Sequence, residues 1–280
     1  MIRPRLEAVS DEASGVVGPG EVPGPDFLDD ATDSPERPRH LTGYPRDLGE
    51  RDAELDQRAT ARQPLPSVMR RLAAGLADDR GIAPVLPDPG TGDPPRRAAV
   101  LALFDTRPPA TRLLFVQKGA HLRRHAGQIA FPGGSSAPGD DGPVGTAQRE
   151  AGEEAGVRPD SFRVLGMLPP AHVAVSGFDV TTVVAWWHTP HPVSVNDPGE
   201  IAELHRIEVR RLVDPVNRAA VRYPGGRLGP AFVVDDLFIW GLTGHLVDAL
   251  LDLAEWSVPW DRTRFRTVPP RFGRDPDPRH

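Results

Sequence analysis

The sequence predicts an α+β layered domain, in which a sheet of short strands packs against a few helices. Two observations carry this prediction. Short apolar segments typical of strands recur along residues 97–209, and only two segments of the main domain have helical spacing, at about residues 143–155 and 237–255. A regularly alternating α/β barrel would instead place a helix after every strand.

The two ends of the chain have compositions that do not build a core. Residues 1–66 are rich in Pro, Gly, Asp, Glu and Arg, and their few apolar residues follow no period, which predicts a disordered tail. Residues 263–280 return to Arg, Pro and Asp, and we expect a flexible tail there too. The domain between them is predicted to span residues 96–262.

A short helix and a linker, together residues 67–95, precede this domain. Residues 67–79 read as a helix capped by Ser67 that packs on the domain edge. Its apolar side is predicted to consist of Val68, Leu72, Leu76 and Ala77. A Pro/Gly/Asp-rich linker at residues 83–95 separates it from the first strand.

The strands are predicted in the order in which apolar runs occur. The first run is unbroken, which favours a strand buried on both faces, and a turn at residues 107–109 leads to the second. The predicted strands are residues 97–105, 113–116, 128–131, 162–168, 180–187 and 201–209.

The two helices of the main domain have different signals. The first has Pro143 in its first turn, Asp141 or Gly142 as its cap and Gly156 as its stop. The second, residues 237–255, carries an apolar stripe that indicates ordinary core packing.

Composition restricts the class of protein. The net charge of −6 and the pI near 5.9 argue against a nucleic-acid partner and favour a small-molecule substrate. The chain has no cysteine, so thiolate metal sites and cysteine nucleophiles are excluded. Neither a signal peptide nor an apolar run of membrane-spanning length is present, so we expect a cytoplasmic protein with no membrane partner.

Three acidic residues project from one side of the first helix. Glu150, Glu153 and Glu154 stand at positions i, i+3 and i+4, where like charges repel by a few tenths of a kcal/mol a pair. A divalent cation would reverse this penalty, because Mg²⁺ takes carboxylate oxygens and shares them with substrate phosphates. The alternative is that the stripe is only a solvated acidic surface.

The context of these acids resembles the signature of the Nudix hydrolase family. Phe131-Pro132-Gly133-Gly134 precedes the helix, and Arg149-Glu150-Ala151-Gly152-Glu153-Glu154-Ala155-Gly156-Val157 matches the second half of the family pattern Gly-x5-Glu-x7-Arg-Glu-aliphatic-x-Glu-Glu-x-Gly-aliphatic. In that register Asp141 replaces the first Glu, and Ser135 stands where the first Gly is counted.

The resemblance implies a fold and a chemistry. It implies an α/β/α sandwich with a mixed sheet, and hydrolysis of a phosphoric anhydride that depends on Mg²⁺ or Mn²⁺. Glu150, Glu153 and Glu154 would hold the metal, and Arg149 would orient them. Glu153 is also assigned to catalysis, and Glu200 is the candidate general base, with a solvent-facing loop glutamate as the equal alternative.

The segment before the signature resembles the coenzyme A pyrophosphatase branch of the family. In that branch an L-R-x-H-x-G-Q segment runs into F-P-G-G, as residues 122–134 do here, and the substrate is coenzyme A or its thioesters. Arg123 and His125 suit a phosphate ligand, and Gly127 would let backbone approach it. The predicted substrate-binding residues are Lys118, Arg123, His125, Gly127, Gln128, Gly133 and Gly134.

Other functions remain open at this point. Another nucleoside diphosphate derivative, such as ADP-ribose or NADH, is the nearest alternative substrate. A domain that binds a nucleotide without turnover, with residues 1–66 as a partner-binding arm, is the alternative from another class. The retained acids argue against it, because clustered carboxylates beside a polyphosphate need a metal. A homodimer is also left open.

Overall fold

The computed structural model of the chain describes residues 63–78, 96–174, 176–223 and 226–272. The sequence predictions for residues 1–62, for the linker at residues 83–95 and for residues 273–280 lie outside the described residues. The helices are α1 (Ser67–Ala77), α2 (Gly142–Ala155), α3 (Val209–Val213) and α4 (Gly241–Leu253). The strands are β1 (Arg96–Asp105), β2 (Arg112–Lys118), β3 (Ile129–Ala130), β4 (Gly133–Ser135), β5 (Arg163–Val173), β6 (Phe178–Trp186), β7 (Ile201–Glu208), β8 (Arg218–Arg222), β9 (Leu228–Val234) and β10 (Leu237–Ile239).

The described strands form a mixed seven-stranded sheet and a smaller three-stranded one. The large sheet has the order β3-β2-β1-β6-β5, with β4 added to β1 and β7 added to β2. Only β1 and β6 pair in parallel within it, and the remaining pairs are antiparallel. The second sheet has the antiparallel order β10-β9-β8. The predicted α+β class is therefore confirmed.

Strand β1 is buried on both faces, as its unbroken apolar run predicts. Leu101 and Leu103 pack on one face against α2, whereas Ala102 and Phe104 face the core shared with α1, α4 and the second sheet. The large sheet thus lies between two layers that both contain helix. This arrangement fixes α2 on the sheet through its alanines.

Helix α1 differs from the prediction in its cap and in the residues that it buries. It begins at Ser67 without a side-chain cap, and its buried residues are Met69, Leu72 and Leu76. Ala77, which was predicted on the apolar side, is exposed. Met69, which was not predicted there, is buried. The helix packs on β5 and α4, where Gly166 and Gly75 make room for its approach.

The predicted helix at residues 237–255 is wrong at its start. Residues Leu237–Ile239 form β10, which pairs with β9, and the helix begins only at Gly241. Gly241 has φ +65°, a left-handed conformation that breaks the strand from the helix. The apolar stripe runs through both elements, so the pattern alone does not locate the boundary. Strands β8 and β9 were not predicted.

The chain remains packed beyond the predicted end of the domain at residue 262. Phe265 forms a parallel bridge with Ala220 of β8, and the Phe272 side chain is 1% exposed. Residues 263–272 therefore differ from the flexible tail expected from their composition. Among the described residues, no helix has the length and apolar character needed to cross a membrane.

Candidate active site

Helix α2 directs Glu150 and Glu154 toward strands β2 and β4 of the large sheet. Ala147, Ala151 and Ala155 are buried against β1, and Pro143 occupies the first turn as predicted. Gly156 ends the helix in the left-handed conformation with φ +68°, which confirms the predicted stop. The local sequence therefore determines which way the acidic stripe faces.

Arg149 connects the acids of α2 with the loop that precedes it. Its Nη1 donates to Glu150 Oε1 at 2.9 Å and to Glu153 Oε2 at 3.0 Å. Its Nε and Nη2 donate to both carboxylate oxygens of Asp140, at 2.9 and 3.1 Å, and Nη2 also donates to the Ser135 carbonyl at 3.0 Å. The bond to Asp140 is the main cause that holds the pKa of Arg149 above its usual value. A single guanidinium thus fixes two α2 carboxylates and the loop.

The acid that pairs with Arg149 is Asp140, and the sequence assignment of Asp141 to this position needs correction. Asp141 is exposed and stands at the N-cap of α2 without a side-chain cap bond. The hydrogen bond from Arg149 lowers the pKa of Asp140 well below its usual range, and Thr146 Oγ1 donates to it at 2.9 Å. Five residues separate Gly134 from Asp140, which is the spacing of the family pattern, so the extra residue lies after Asp140 and not before it.

Glu154 is the most deeply buried acid of the helix. Its side chain is 3% exposed, and it accepts from the Gly133 amide at 3.0 Å and from Lys118 Nζ at 2.7 Å. Burial raises the pKa of Glu154 above its ordinary value, against the opposing effect of Lys118. Lys118 Nζ also donates to Glu200 Oε1 at 2.5 Å. The structure therefore joins Glu154 and Glu200, which are distant in sequence, through one ammonium group.

Lys118 has partners other than the phosphate expected from the sequence. The residue is buried at the end of β2, and its ammonium group is directed at two carboxylates. Burial by itself would lower the pKa of Lys118, but Glu154 and Glu200 outweigh this effect and raise it. We therefore interpret Lys118 as the counter-ion of the acids.

The two glycines of the F-P-G-G turn are required by different neighbours. A Cβ on Gly133 would lie 2.3 Å from the Ala99 carbonyl of β1, and one on Gly134 would lie 2.6 Å from Glu150 Oε1. Gly134 therefore leaves the Glu150 carboxylate directly against bare backbone. Burial raises the pKa of Glu150, and the repulsion of Glu153 and Glu200 adds to the effect.

The turn at residues 125–128 is connected to the acids through the backbone of Lys118. Gly127 N donates to the Lys118 carbonyl at 3.1 Å, and Lys118 N donates to the Gln128 carbonyl at 2.9 Å. Gln128 Oε1 lies 3.0 Å from His125 Nδ1. Arg123 and His125 are exposed. The space beside Gly127, which we expected to receive substrate, is occupied by the Arg271 carbonyl, 1.8 Å from where a Cβ would stand.

Glu200 lies in a loop that is held beside the end of β2. The Gly119 amide donates to the Glu200 carbonyl at 2.7 Å, and His121 Nε2 lies 3.0 Å from the Gly199 carbonyl. The Glu200 side chain is 47% exposed although its Oε1 is bound to Lys118. This geometry suits a group that exchanges a proton with water.

The donor set fits a hard divalent cation. Glu150 and Glu154 are each repelled by the like charge of Glu200, and carboxylate oxygens are the ligands that Mg²⁺ and Mn²⁺ prefer. Within the described part of the chain, no three acidic or histidine side chains already form a closed metal site. Lys118 and Arg149 occupy several of the oxygens instead. A bound cation would have to compete with these two side chains.

Comparison with known proteins gives a consistent set of matches. A model of the NUDIX domain family matches residues 94–224. The uncharacterized Nudix hydrolase NudL of Yersinia pestis (strain Pestoides F) is 36% identical over 159 residues, which cover 54% of this chain and 76% of that protein. The crystal structure of a Nudix hydrolase from M. Smegmatis, RenU, is 28% identical with a TM-score of 0.37, over 42% of this chain and 74% of that one. An Ap4A hydrolase from C. elegans in a binary complex is 19% identical with a TM-score of 0.35, over 42% and 83% of the two chains.

Proposed function

The chain belongs to the Nudix hydrolase family and is a pyrophosphatase-type hydrolase; from this premise we propose that its substrate is coenzyme A or a coenzyme A thioester. The reaction would cleave the pyrophosphate bond with Mg²⁺ or Mn²⁺ as the cofactor. The products would be 3′,5′-ADP and 4′-phosphopantetheine or its acyl form.

One observation carries this proposal: a single residue links the L-R-R-H-A-G-Q segment to the acids. The backbone of Lys118 pairs with Gly127 and Gln128, and its side chain binds Glu154 and Glu200. The segment that resembles the coenzyme A branch is thereby anchored beside the candidate catalytic carboxylates. A substrate held by this segment would meet those carboxylates with its diphosphate.

Arg123 and His125 are the proposed contacts for the phosphate groups. Arg123 is exposed, and its guanidinium makes no hydrogen bond or ion pair with any other residue that the structure describes. A planar guanidinium binds phosphate with two parallel hydrogen bonds, which gives orientation as well as affinity. The exposed His125, two residues further on, would add a second donor.

The proposed division of roles follows the contacts of each acid. Glu150, Glu153 and Glu154 would hold the cation, and Arg149 would keep Glu150 and Glu153 in place. When bound, the divalent ion would neutralise charge on the phosphate oxygens and lower the pKa of the attacking water. Glu200 would accept the proton from that water, while Lys118 fixes its Oε1.

Product analysis tests the substrate directly. The purified chain is incubated with coenzyme A and MgCl₂ or MnCl₂, and the products are identified by mass spectrometry. We expect 3′,5′-ADP together with 4′-phosphopantetheine. ADP-ribose and NADH are tested under the same conditions, and intact coenzyme A beside cleaved ADP-ribose would show that the branch assignment is wrong.

Replacement of a proposed metal ligand tests the site. Glu154→Gln keeps the shape of the side chain but removes its charge, and we expect turnover to fall by about 100-fold, because replacing even the groups that orient metal ligands costs about 10–100-fold. Glu203→Gln, an exposed glutamate on β7, is the matched control and should retain activity. Calorimetry with Mg²⁺ should give binding to the native chain and weaker binding to Glu154→Gln. Equal rates for the two variants would refute the role of Glu154.

A further inference from the structure

The last described residues of the chain form an extended segment that packs on the second sheet. We define the C-terminal strap as residues 261–272. Its first part runs beside β8, where the Ala220 amide donates to the Arg264 carbonyl and the Arg266 amide donates to the Ala220 carbonyl, both at 2.9 Å. Its last part is a short 3₁₀ turn, Pro270–Phe272. The strap therefore begins beside β8, at one edge of the second sheet, and ends beside β10, at the other edge.

The last residue of the strap is anchored in the core. Phe272 is almost fully buried, and its ring stacks on Phe238 of β10 with centroids 6.4 Å apart. Trp240 Nε1 donates to the Phe272 carbonyl at 2.8 Å. These contacts fix the backbone of the strap at the position where it reaches the turn at residues 125–128.

The strap and this turn meet backbone to backbone. A Cβ on Gly127 would lie 1.8 Å from the Arg271 carbonyl and 3.9 Å from the Phe272 Cα, so only glycine fits there. Gly127 also has φ +70°, which glycine adopts without the steric penalty of other residues. Glycine at this position is therefore explained by the strap and does not require a ligand.

The turn contains a second left-handed residue that is not glycine. His125 has φ +57°, a conformation that is costly for a residue with a Cβ. Such strained positions persist only where the surrounding structure holds them. Within the turn, the Gln128 amide donates to the His125 carbonyl at 3.0 Å. Two other parts of the chain adjoin the turn: the backbone of Lys118, which pairs with Gly127 and Gln128, and the strap, which abuts Gly127.

We propose that the C-terminal strap is a positioning element for the substrate-binding turn. By pressing on Gly127 it holds the left-handed backbone of His125 and so keeps Arg123 and His125 in the arrangement that receives a phosphate. The inference rests on the proposed function of this turn. It assigns a role in substrate recognition to residues that lie outside the region 94–224 matched by the family model.

Two substitutions loosen the end of the strap to different degrees. Trp240→Phe removes the hydrogen bond to the Phe272 carbonyl but retains an aromatic ring, and Phe272→Ala removes the anchor itself. Phe265→Ala is the matched control, because Phe265 belongs to the strap but lies beside β8 and is 45% exposed. Circular dichroism and thermal melting verify that each full-length variant is folded at the temperature used.

Hydrogen exchange and steady-state kinetics are then measured on the same samples. We expect amides at residues 125–128 to exchange at least about tenfold faster in Phe272→Ala, with a smaller increase in Trp240→Phe and none in Phe265→Ala. For coenzyme A, KM should rise by about fivefold or more while kcat stays within about twofold, because ground-state and transition-state binding are lost together.

The outcomes separate this inference from the proposed substrate. Unchanged exchange at residues 125–128 in both variants would overturn the positioning role, whether or not coenzyme A is cleaved. Faster exchange with an unchanged KM would also overturn it, because the turn would then not serve binding. If the native chain leaves coenzyme A intact, the substrate proposal fails, and faster exchange would still support the positioning of the turn by the strap.

Discussion

Lys118 has an unusual place among the cations of this chain. It is the only lysine among the 33 cationic residues. Its single ammonium group satisfies the buried Glu154 and the half-exposed Glu200 at once. Removing it would leave Glu154 charged in a site that excludes most water, which is far more costly than the loss of a surface ion pair.

Replacing Lys118 therefore tests the counter-ion role at the level of stability. We expect Lys118→Met to lower the free energy of unfolding of the metal-free protein by about 3 kcal/mol. Arg71→Met, which breaks the exposed pair between Arg71 and Glu255, is the control and should cost less than about 1 kcal/mol. Both values come from urea denaturation. A loss of similar size in the two variants would contradict the assignment.

At the scale of the element, two glycines of α2 have opposite roles. Gly152 lies inside the helix, where an added Cβ would meet only the Val157 carbonyl at 3.5 Å, an ordinary contact. Gly156 ends the helix with φ +68°, and a Cβ there would lie 3.0 Å from Asn196 Nδ2. Replacing glycine by alanine should therefore raise the stability of the protein at position 152 and lower it at position 156.

Alanine at each position makes a matched pair of variants. Gly152→Ala should stabilise the protein by about 0.5–1 kcal/mol, because glycine costs about that much in a helix interior. Gly156→Ala should destabilise it by about 1 kcal/mol or more, because alanine is strained in the left-handed conformation. Chemical denaturation measures both. A destabilising Gly152→Ala would indicate that the helix needs the absence of a side chain there.

If the acids of α2 hold the cation as proposed, the binding of the cation should depend on pH. Burial raises the pKa of Glu150 and of Glu154 above the ordinary value of 4.5, so the fold favours their protonated forms. Their contribution to stability is full below pH 4.5 and is lost as the pH rises through the raised pKa values. A divalent cation would bind only the deprotonated carboxylates. Its contribution to the stability of the protein should therefore increase as the pH rises through the raised pKa values of Glu150 and Glu154.

Thermal melting with and without Mg²⁺ measures this linkage. We expect MgCl₂ to increase Tm clearly at pH 8 and only slightly at pH 5, relative to NaCl of equal ionic strength. The Glu154→Gln variant should show a smaller increase at pH 8. An increase of the same size at both pH values would contradict the proposal that Glu150 and Glu154 hold the cation.

Across the whole molecule, the sequence was informative where the determining contacts are local. The bounds of α2 follow from its acids, its alanine spacing and Gly156, which are all within one helix. The ion pairs of Lys118 could not be predicted, because its partners Glu154 and Glu200 lie 36 and 82 residues away in the sequence. Strand β10 was read as helix because its apolar residues continue the stripe of α4, and pairing with β9 decides the conformation.

Helix α1 tests how far the folding unit extends beyond the family match at residues 94–224. Leu72 of α1 is fully buried in the core that also contains Phe104, Trp256 and α4. If α1 folds with this core, Leu72→Ala should cost about 2–5 kcal/mol, and the loss should shift the unfolding of the entire domain. Leu228, which is exposed on β9, provides the control, and Leu228→Ala should change stability by less than about 0.5 kcal/mol.

Two optical signals follow this unfolding from different parts of the molecule. The far-UV circular dichroism reports all helices, whereas the near-UV signal reports the packing of tryptophans such as Trp186, Trp187 and Trp256. In a single cooperative unit the two transitions coincide and move together in Leu72→Ala. A far-UV transition that precedes an unshifted near-UV transition would mean that α1 unfolds separately. Coincident transitions that shift together would show that α1 unfolds as one unit with the rest of the domain.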